Sequence, residues 1–416
     1  MIVHWLWLAH RPGLTDFMKA ELLRHFSDPE DIYFAQPEAF AHIDGFTKDM
    51  ARALADKDLT EAQKHLADAM KYKLHILTYR DAAYPQRLKH IPDPPLVLYY
   101  KGTLPDFDSQ PVIGVVGTRD CTPYGLSTAK KLGYEIVQCG GMVVSGLAKG
   151  IDAMAMKSAL SAGGRVVGIL GCGAEQIYPK ANHWLFADVE RYGCILSEFP
   201  PETPAYGWNF PKRNRIISGL SHGVLVVEAP KGSGALHTAR HALEQGRDVF
   251  VVPGNVDQST FEGSNQLLRD GGILSTCGWD ILSEYEGLYP DKVHRNTKLS
   301  RQRAYPEDMP ETGETSAKVA QKARLPGIKQ SEKEKSYKKD VDNTVTPNYS
   351  DVNKDLSALS PEQRAIVECL SGGELLVDQV IAELQLPAGK VSSLLTMLVI
   401  KGFVKKLPGN RVCLNK

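Results

Sequence analysis

Residues 112–125 read VIGVVGTRDCTPYG, an apolar, β-branched run that ends in a glycine and is followed by a helix start at Thr122 and Pro123. Five further apolar runs follow along the chain: MVVSG (142–146), RVVGIL (165–170), CILSE (194–198), GVLVVEA (223–229) and DVFVVPG (248–254). Because helical stretches separate these runs, they predict the strands of a parallel sheet covered by helices on both faces. The predicted fold class is α/β, a Rossmann-like doubly wound sheet whose ligand site lies beyond the carboxyl ends of the strands.

Segments of different composition flank this domain, which we place at residues 76–288. Residues 1–75 contain short helical patterns separated by Asp, Pro and Gly, and they predict a small helical domain of the SAM-like or helix-hairpin-helix-like kind. Residues 289–354 are rich in Lys, Glu, Thr, Pro and Ser without a sustained period, which predicts a flexible linker. Residues 355–416 show three helical patterns and then two strand patterns around a PGN turn, which predict a winged-helix domain.

Charge and cysteine content exclude several classes of protein. With 49 basic and 49 acidic residues, the chain lacks the basic excess of many nucleic-acid binders, so a nucleic-acid site must be a local patch. Seven scattered cysteines without a C-x-x-C pair predict neither a zinc site nor a disulfide framework. The start of the chain lacks a basic n-region, and no apolar run approaches the roughly 20 residues that cross a bilayer. We therefore expect a cytoplasmic protein without a membrane span.

Glycine-rich turns follow three of the predicted strands. Such turns let backbone N–H groups approach an anion closely, and the helix that follows contributes its positive end. Lys149 and Lys231 stand close to two of these turns and add charge. Each turn alone is weak evidence, but three turns at one sheet edge predict a phosphate-binding face. Its candidate residues are Gly117, Thr118 and Arg119 in the first turn, Ser145 and Gly146 in the second, and Gly232, Ser233 and Gly234 in the third.

The stretch WNFPKRNR at 208–215 combines cations with aromatic rings. Cationic side chains hold phosphates and a ring accepts a base face, so the stretch predicts a loop that binds a single nucleic-acid strand. Either Phe210 or Trp208 could supply the ring. The alternative is that Arg213 and Arg215 form internal ion pairs and that Phe210 belongs to the core. The candidate binding residues here are Phe210, Lys212, Arg213, Asn214 and Arg215.

Signals of catalysis are missing from the sequence. There is no G-x-x-x-x-G-K-[ST] motif for ATP and no carboxylate cluster suited to metal-assisted phosphodiester cleavage. His237 and His241 lie four residues apart on a predicted helix, but they lack an intervening glutamate and a third ligand nearby. We therefore predict no catalytic residue, no metal and no cofactor.

Several motifs follow one another in a fixed order along the chain. They are V-G-T-R (116–119), S-G-L-A-x-G-I-D-A (145–153), Y-P (178–179), S-E-F-P (197–200), F-P-x-R-N-R-I-I-S-G-L-S (210–221), V-V-E-A (226–229) and S-G-A-L-x-T-A-R (233–240) with the D-V-F-V-V-P-G that follows. This order resembles that of the DprA/Smf family of DNA-processing proteins. The resemblance covers roughly residues 75–286, and the helical head and the winged-helix tail agree with the layout of the family.

This resemblance implies a DNA-binding recombination mediator that shields single strands during natural transformation and helps to load the recombinase RecA on them. It also implies a homodimer joined through the Rossmann-like cores, near the segment EGSNQLLRDGG (262–272). Leu267, Leu268 and Leu274 are the candidate contacts, with ordinary core packing as the alternative. The glycine-rich turns and the residues of the 208–215 stretch named above are the DNA-binding residues that the resemblance carries over.

One position departs from the family pattern. The family commonly has G-I-D-x-x-A-H, whereas this chain reads GIDAMAM, with Met156 in place of the histidine. A catalytic role for that position is therefore not expected, and Asp152 would cap or orient a loop.

Two rival functions remain open at this point. A phosphoribohydrolase-type enzyme would use the loop PKGSGALHTA (230–239), but the glutamate that such loops have is absent. A winged-helix regulator of duplex DNA would read bases with the third helix of the tail, which carries only Lys390 and Lys401 beside Ser392, Ser393 and Thr396. Contact with another protein is an equal alternative for this tail.

Overall fold

The chain divides into two compact units, residues 1–302 and residues 303–416. The computed structural model describes residues 2–296 and residues 359–415, apart from 385, 387–390, 392–393, 396, 400–402 and 408–410. No helix among these residues is long and apolar enough to cross a membrane.

A nine-stranded sheet organises the first unit. Its order is β1-β2-β6-β5-β4-β3-β7-β8-β9; β1 pairs with β2 and β2 with β6 in antiparallel fashion, and the other neighbours pair in parallel. The strands are β1 His75–Thr78, β2 Val97–Gly102, β3 Val112–Val116, β4 Met142–Ser145, β5 Val166–Ile169, β6 Cys194–Ser197, β7 Gly223–Val226, β8 Asp248–Val251 and β9 Ile273–Leu274. All six predicted strands are confirmed as β3 to β8.

Helices cover both faces of this sheet, as the apolar strands require. One face packs against α7, α8, α9 and α13, and the other against α6, α10 and α11. The doubly wound prediction is thereby confirmed. The helices are α6 Gln86–Lys89, α7 Pro123–Gln138, α8 Ile151–Ser161, α9 His183–Tyr192, α10 Asn209–Leu220, α11 Gly234–Glu244, α12 Glu262–Arg269 and α13 Gly278–Leu282.

The N-terminal segment is helical, as predicted, but it is not separate from the sheet. Its helices are α1 Ile2–Ala9, α2 Asp16–His25, α3 Pro29–Phe34, α4 Lys48–Ala55 and α5 Thr60–Lys71. Strand β2 alternates its side chains between two cores, because successive residues of a strand point to opposite faces. Val97 and Tyr99 pack with the N-terminal helices, while Leu98 packs with the sheet domain. We call α1–α5 the head of the first unit.

The first unit also extends into the predicted linker 289–354. Val293 is buried in the sheet core, and the amide of His294 donates to the carbonyl of Cys139 at 3.2 Å. Residues 289–296 therefore belong to the packed unit, because one apolar side chain and backbone pairing anchor them. The rest of the linker to residue 354 lies outside the described residues.

The second unit carries the elements of a winged-helix domain. Its elements are α14 Pro361–Cys369, β10 Leu375–Leu376, α15 Val377–Leu384, β11 Val404–Leu407 and β12 Arg411–Leu414. Ser360 and Gln363 form a capping box at the start of α14. The described residues between 391 and 399 are helical, and Leu395 and Leu398 pack in the core with Val404 and Val412. Lys390, Ser392, Ser393, Thr396, Lys401 and the PGN turn lie outside the described residues.

Candidate nucleic-acid interface

The stretch predicted as a cationic loop is in fact the start of helix α10, Asn209–Leu220. Pro211 stands in the first turn, where its missing N–H breaks no helical hydrogen bond. Because a helix turns about 100° per residue, residues three and four apart share a face and neighbours do not. The helix therefore separates the predicted cations into two groups. Phe210, Arg213 and Asn214 face the carboxyl ends of the strands, whereas Lys212 and Arg215 face the head.

Two adjoining cavities open at the carboxyl ends of the parallel strands. Their volumes are about 300 Å³ and about 360 Å³. Residues from the turn after β3 and from the first turn of α10 line both cavities. The shared lining residues are Arg119, Asp120, Ala148, Phe210 and Arg213. We call these two cavities and their rim the groove. The convergence of the first glycine-rich turn with the 208–215 stretch is therefore confirmed for Arg119 and Arg213.

The ring of Phe210 lies close to both arginines of the groove. Its ring centroid is 5.7 Å from the guanidinium carbon of Arg119 and 5.9 Å from that of Arg213. The ring of Tyr178 lies 5.3 Å from the same ring at an interplanar angle of 35°. Cations within about 6 Å of an aromatic ring are attracted by its face. Phe210 thus holds the two guanidinium groups side by side despite their like charge.

Arg213 is the buried cation of the groove. Its guanidinium donates to the carbonyl of Ile169 at the end of β5, while its Nε has no hydrogen-bond partner among the described residues. Burial lowers the pKa of Arg213 to about 10, against the opposing effect of the Asp152 carboxylate. The side chain therefore stays charged at neutral pH. A buried positive charge beside an open cavity favours an anionic ligand.

Asp152 stabilises the turn that carries Gly146. Its carboxylate accepts a hydrogen bond from the amide of Gly146 at 3.1 Å. Burial raises the pKa of Asp152, and Arg213 opposes that rise. The Arg213 guanidinium lies directly against the α-carbon of Gly146 and leaves no room there for a side chain. These contacts agree with the expectation that Asp152 orients a loop.

The turn after β3 exposes the side chain of Arg119 to solvent. The amide of Thr118 donates to the carbonyl of Glu228 at 2.8 Å, and its hydroxyl accepts from the amide of Asp120 at 3.3 Å. Gly150, with a φ of +79°, packs so closely on this turn that a β-carbon would lie 2.7 Å from the carbonyl oxygens of Thr118 and Arg119. The turn is therefore rigid, and the exposed Arg119 side chain extends from a fixed base.

The other two glycine-rich turns differ in what they offer to a ligand. Ser145 is fully buried and donates its hydroxyl to the carbonyl of Val115 at 2.6 Å, so its side chain does not face the groove. The turn before α11 is open. Ser233 caps this helix by accepting from the amide of Ala235, and Gly234 has no atom within 4 Å of the place of a β-carbon. Ser233 and Gly234 line the groove, and Gly232 is exposed beside them.

Lys212 and Arg215 do not face the groove, contrary to our prediction. Lys212 Nζ lies 2.7 Å from Asp16 Oδ2 of the head. Arg215 is almost fully buried and pairs with Glu198 at 2.7 Å, with Asp93 at 2.9 Å and with Asp16 at 3.5 Å. Burial would lower the pKa of Arg215, but these carboxylates outweigh it and raise the pKa. The alternative of internal ion pairs is therefore the correct one for Arg215.

The head carboxylate that holds these cations is itself strongly perturbed. Burial would raise the pKa of Asp16, but the ammonium groups of Lys19 and Lys212 outweigh it and lower the pKa to about 2. Lys19 Nζ lies 3.2 Å from Asp16 Oδ1. Asp16 therefore stays ionised at neutral pH and neutralises charge on the face of α10 that is turned away from the groove.

The remaining candidate residues lie away from the groove. Leu267 and Leu268 on α12 are half-buried and pack against the sheet core, while Leu274 is 55% exposed on the edge strand β9. Met156 is fully buried in the hydrophobic core beside α7. Sequence reasoning missed Tyr178 and Asp120 as groove residues. The Y-P pair at 178–179 was visible in the sequence, but nothing local indicated that it would meet Phe210.

The chain matches family models and known proteins over most of its length. Residues 75–286 match the family model of DNA recombination-mediator protein A, and residues 353–410 match that of the DprA winged helix domain. Protein Smf of Synechocystis sp. is 34% identical over 419 residues, which covers 98% of this chain and 97% of that protein. DNA processing protein DprA of Bacillus subtilis is 40% identical over 243 residues, which covers 57% of this chain and 82% of that protein.

A solved structure shares the fold. The X-ray structure of DNA processing protein A from Streptococcus pneumoniae superposes on this chain with a TM-score of 0.60 at 32% sequence identity. The match covers 68% of this chain and 98% of that one.

Proposed function

Because the chain belongs to the DNA recombination-mediator protein A family, we propose that it binds single-stranded DNA in the groove and acts by binding rather than by catalysis. The observation that supports this proposal is that the guanidinium groups of Arg119 and Arg213 both lie within 6 Å of the Phe210 ring, at the carboxyl ends of the strands. Ligands of open α/β sheets bind at that edge.

The groove offers the two kinds of contact that a nucleic-acid backbone needs. Arg119 and Lys149 are exposed and can neutralise phosphates, while the open turn at Ser233 and Gly234 presents N–H groups at the positive end of α11. None of these groups distinguishes one base from another. Affinity should therefore depend little on base sequence and should fall steeply as the salt concentration rises.

A binding role rather than an enzymatic one is supported by the groove side chains. Asp152 is buried and engaged with the amide of Gly146, and the family's histidine position is the core residue Met156. The carboxylate that remains in the groove is Asp120, which is exposed, and a phosphoribohydrolase would need a positioned acid or base near its substrate. Release of a free base from nucleoside monophosphates by the full chain would contradict this part of the proposal.

Membership of the same family also supports a proposal for the partners of this chain. We propose that the protein protects incoming single strands during natural transformation and helps to load RecA on them, as a homodimer. Leu274 supports a self-association surface, because it is an exposed leucine on the unpaired edge of the sheet. Leu267 and Leu268 on α12 pack against the sheet core and contribute mainly to packing. Two joined grooves would raise affinity for strands long enough to occupy both.

The proposal is tested with the full chain and its Arg119→Ala variant. Binding to a labelled single strand and to the same sequence as a duplex is measured by fluorescence anisotropy over a series of salt concentrations. We expect tighter binding of the single strand by the wild type and a clear loss in the variant. Equal affinity for duplex and single strand, or no effect of the substitution, would contradict a single-strand site in this groove.

A further inference from the structure

A pair of stacked aromatic rings stands open to solvent just before helix α10. The rings of Tyr206 and Trp208 lie 4.6 Å apart at an interplanar angle of 10°. Trp208 is 73% exposed and Tyr206 is 44% exposed. The exposed indole leaves a large flat apolar face in water, which a planar ligand can cover.

The loop that carries these rings is held rigidly at the rim of the groove. The side-chain amide of Asn209 donates to the carbonyl of Gly171 at 3.0 Å and lies 3.4 Å from that of Pro204. The backbone N–H of Asn209 donates to the carbonyl of Tyr206 at 3.0 Å. Gly171 lines the groove and lies against the ring of Phe210. The stacked pair is therefore fixed next to the groove without forming part of its floor.

Phe210 is poorly placed to accept a base, although the sequence made it a candidate for stacking. Two guanidinium groups and the ring of Tyr178 already surround it. Trp208 has the opposite surroundings, since the ring that stacks on it is Tyr206 and most of its surface is free. The structure thus separates two tasks: Phe210 supports the arginines, and a different ring remains for a base.

We propose that the Tyr206–Trp208 pair is a stacking platform for one nucleobase of the strand whose phosphates lie in the groove. This inference rests on the proposed function and adds a subsite to it. A nucleobase fits the platform because every base has a flat π-face of a size similar to an indole, and because the neighbouring arginines hold the phosphates on the same strand. Stacking of this kind accepts any base, in agreement with the lack of base-reading groups in the groove.

Trp208→Ala in the full chain is the test, with Trp208→Phe as the conservative variant. Trp184 provides a matched control, because it is a partly exposed tryptophan that lies under Lys157 and does not line the groove. We expect Trp208→Ala to weaken binding of oligothymidylate roughly tenfold. The slope of affinity against salt should stay unchanged, because no phosphate contact is lost. Trp208→Phe should restore most of the affinity, and Trp184→Ala should change little.

A second set of oligonucleotides identifies the contact as one to a base. Each strand carries one abasic site, moved along its length. At one position the abasic strand should bind wild type and Trp208→Ala equally, because the platform has nothing to stack. Quenching of tryptophan fluorescence by DNA should persist in Trp184→Ala and be largely lost in Trp208→Ala.

Other outcomes would overturn the platform. An unchanged affinity of Trp208→Ala for every strand contradicts it, and so does an equal loss on strands with an abasic site at any position. If Arg119→Ala still weakens binding in that case, the proposed DNA site in the groove remains supported and only the stacking platform is contradicted. If the wild type does not bind single strands, both proposals are contradicted.

Discussion

Lys212 and Arg213 are consecutive in the chain but lie on different faces of helix α10. Lys212 Nζ is 2.7 Å from Asp16 of the head, whereas the guanidinium of Arg213 lies 5.9 Å from the ring centroid of Phe210 in the groove. A helix places neighbouring residues about 100° apart, so one cation can serve packing while the next serves a ligand. Substitutions of these two cations, which look equivalent in the sequence, should therefore have different effects on single-strand binding.

Removing Arg119 should change both the affinity and its dependence on salt. We expect Arg119→Ala to weaken single-strand binding and to lower the slope of log affinity against log salt by about 0.7 to 1, since one phosphate contact is lost. Fluorescence anisotropy over a salt series measures both quantities. Lys212→Gln is the matched control and should leave the slope unchanged. An equal fall in slope for both variants would mean that Lys212 leaves Asp16 to bind phosphate.

Arg215 should matter for stability rather than for DNA contact. Arg215→Ala removes the cation that lies nearest to the buried carboxylate of Glu198 and leaves Lys212, at 4.0 Å, beside it. Breaking a buried pair costs about 3–5 kcal/mol. Urea unfolding of the variant against the wild type measures this free energy. Arg269→Ala, which removes an exposed arginine at the end of α12, should cost far less. A loss for Arg215→Ala as small as that of the control would contradict the role of this ion pair.

Asp16 should make stability depend on pH in the acid range. Its pKa is lowered to about 2 in the folded protein, below the ordinary value of an aspartate. A depressed pKa gives stability that is fully present above the unfolded pKa near 4 and is lost as the pH falls toward 2, amounting to about 2 kcal/mol. We expect Asp16→Asn to remove this part of the decrease in unfolding free energy between pH 5 and pH 2. Parallel pH curves for wild type and variant would contradict the assignment.

Gly150 should be needed for the position of Arg119. Gly150→Ala combines a left-handed backbone, at a φ of +79°, with a β-carbon 2.7 Å from the carbonyl oxygens of Thr118 and Arg119. Gly163→Ala is a matched control, because Gly163 has a φ of +82° and nothing within 4 Å of the added carbon. The control should lose about 1 kcal/mol of unfolding free energy from the backbone alone. Gly150→Ala should lose more and should also bind single strands more weakly, and equal effects in both assays would contradict this account.

Leu274 should be needed for self-association in the proposed dimer. We expect Leu274→Asp to shift the chain toward monomer in analytical ultracentrifugation, because a carboxylate would be buried at the contact. Leu243→Asp is the control, since Leu243 is similarly exposed but lies on α11. A chain that is monomeric in both wild type and variant would contradict the dimer itself.

Local patterns predicted the elements of the fold well where apolar residues were continuous. The six strands β3 to β8 were visible because strands buried on both faces read as short β-branched runs. Strands β1 and β2 were missed, and β2 in particular serves two cores at once, which no local pattern displays. Helix α10 was taken for a loop because Pro211 and the lack of a capping side chain hide its start.

The sequence by itself determined the parallel α/β sheet, the winged-helix tail and the presence of glycine-rich turns beside cations, because each depends on residues close together in the chain. Only the tertiary structure decided which cations face a ligand. Arg119 and Arg213 are 94 positions apart in the numbering and meet at one phenylalanine, whereas Lys212 and Arg215 are held by carboxylates of Asp16, Asp93 and Glu198. Those partners come from distant segments, and the phase of one helix determines which of its cations meet them.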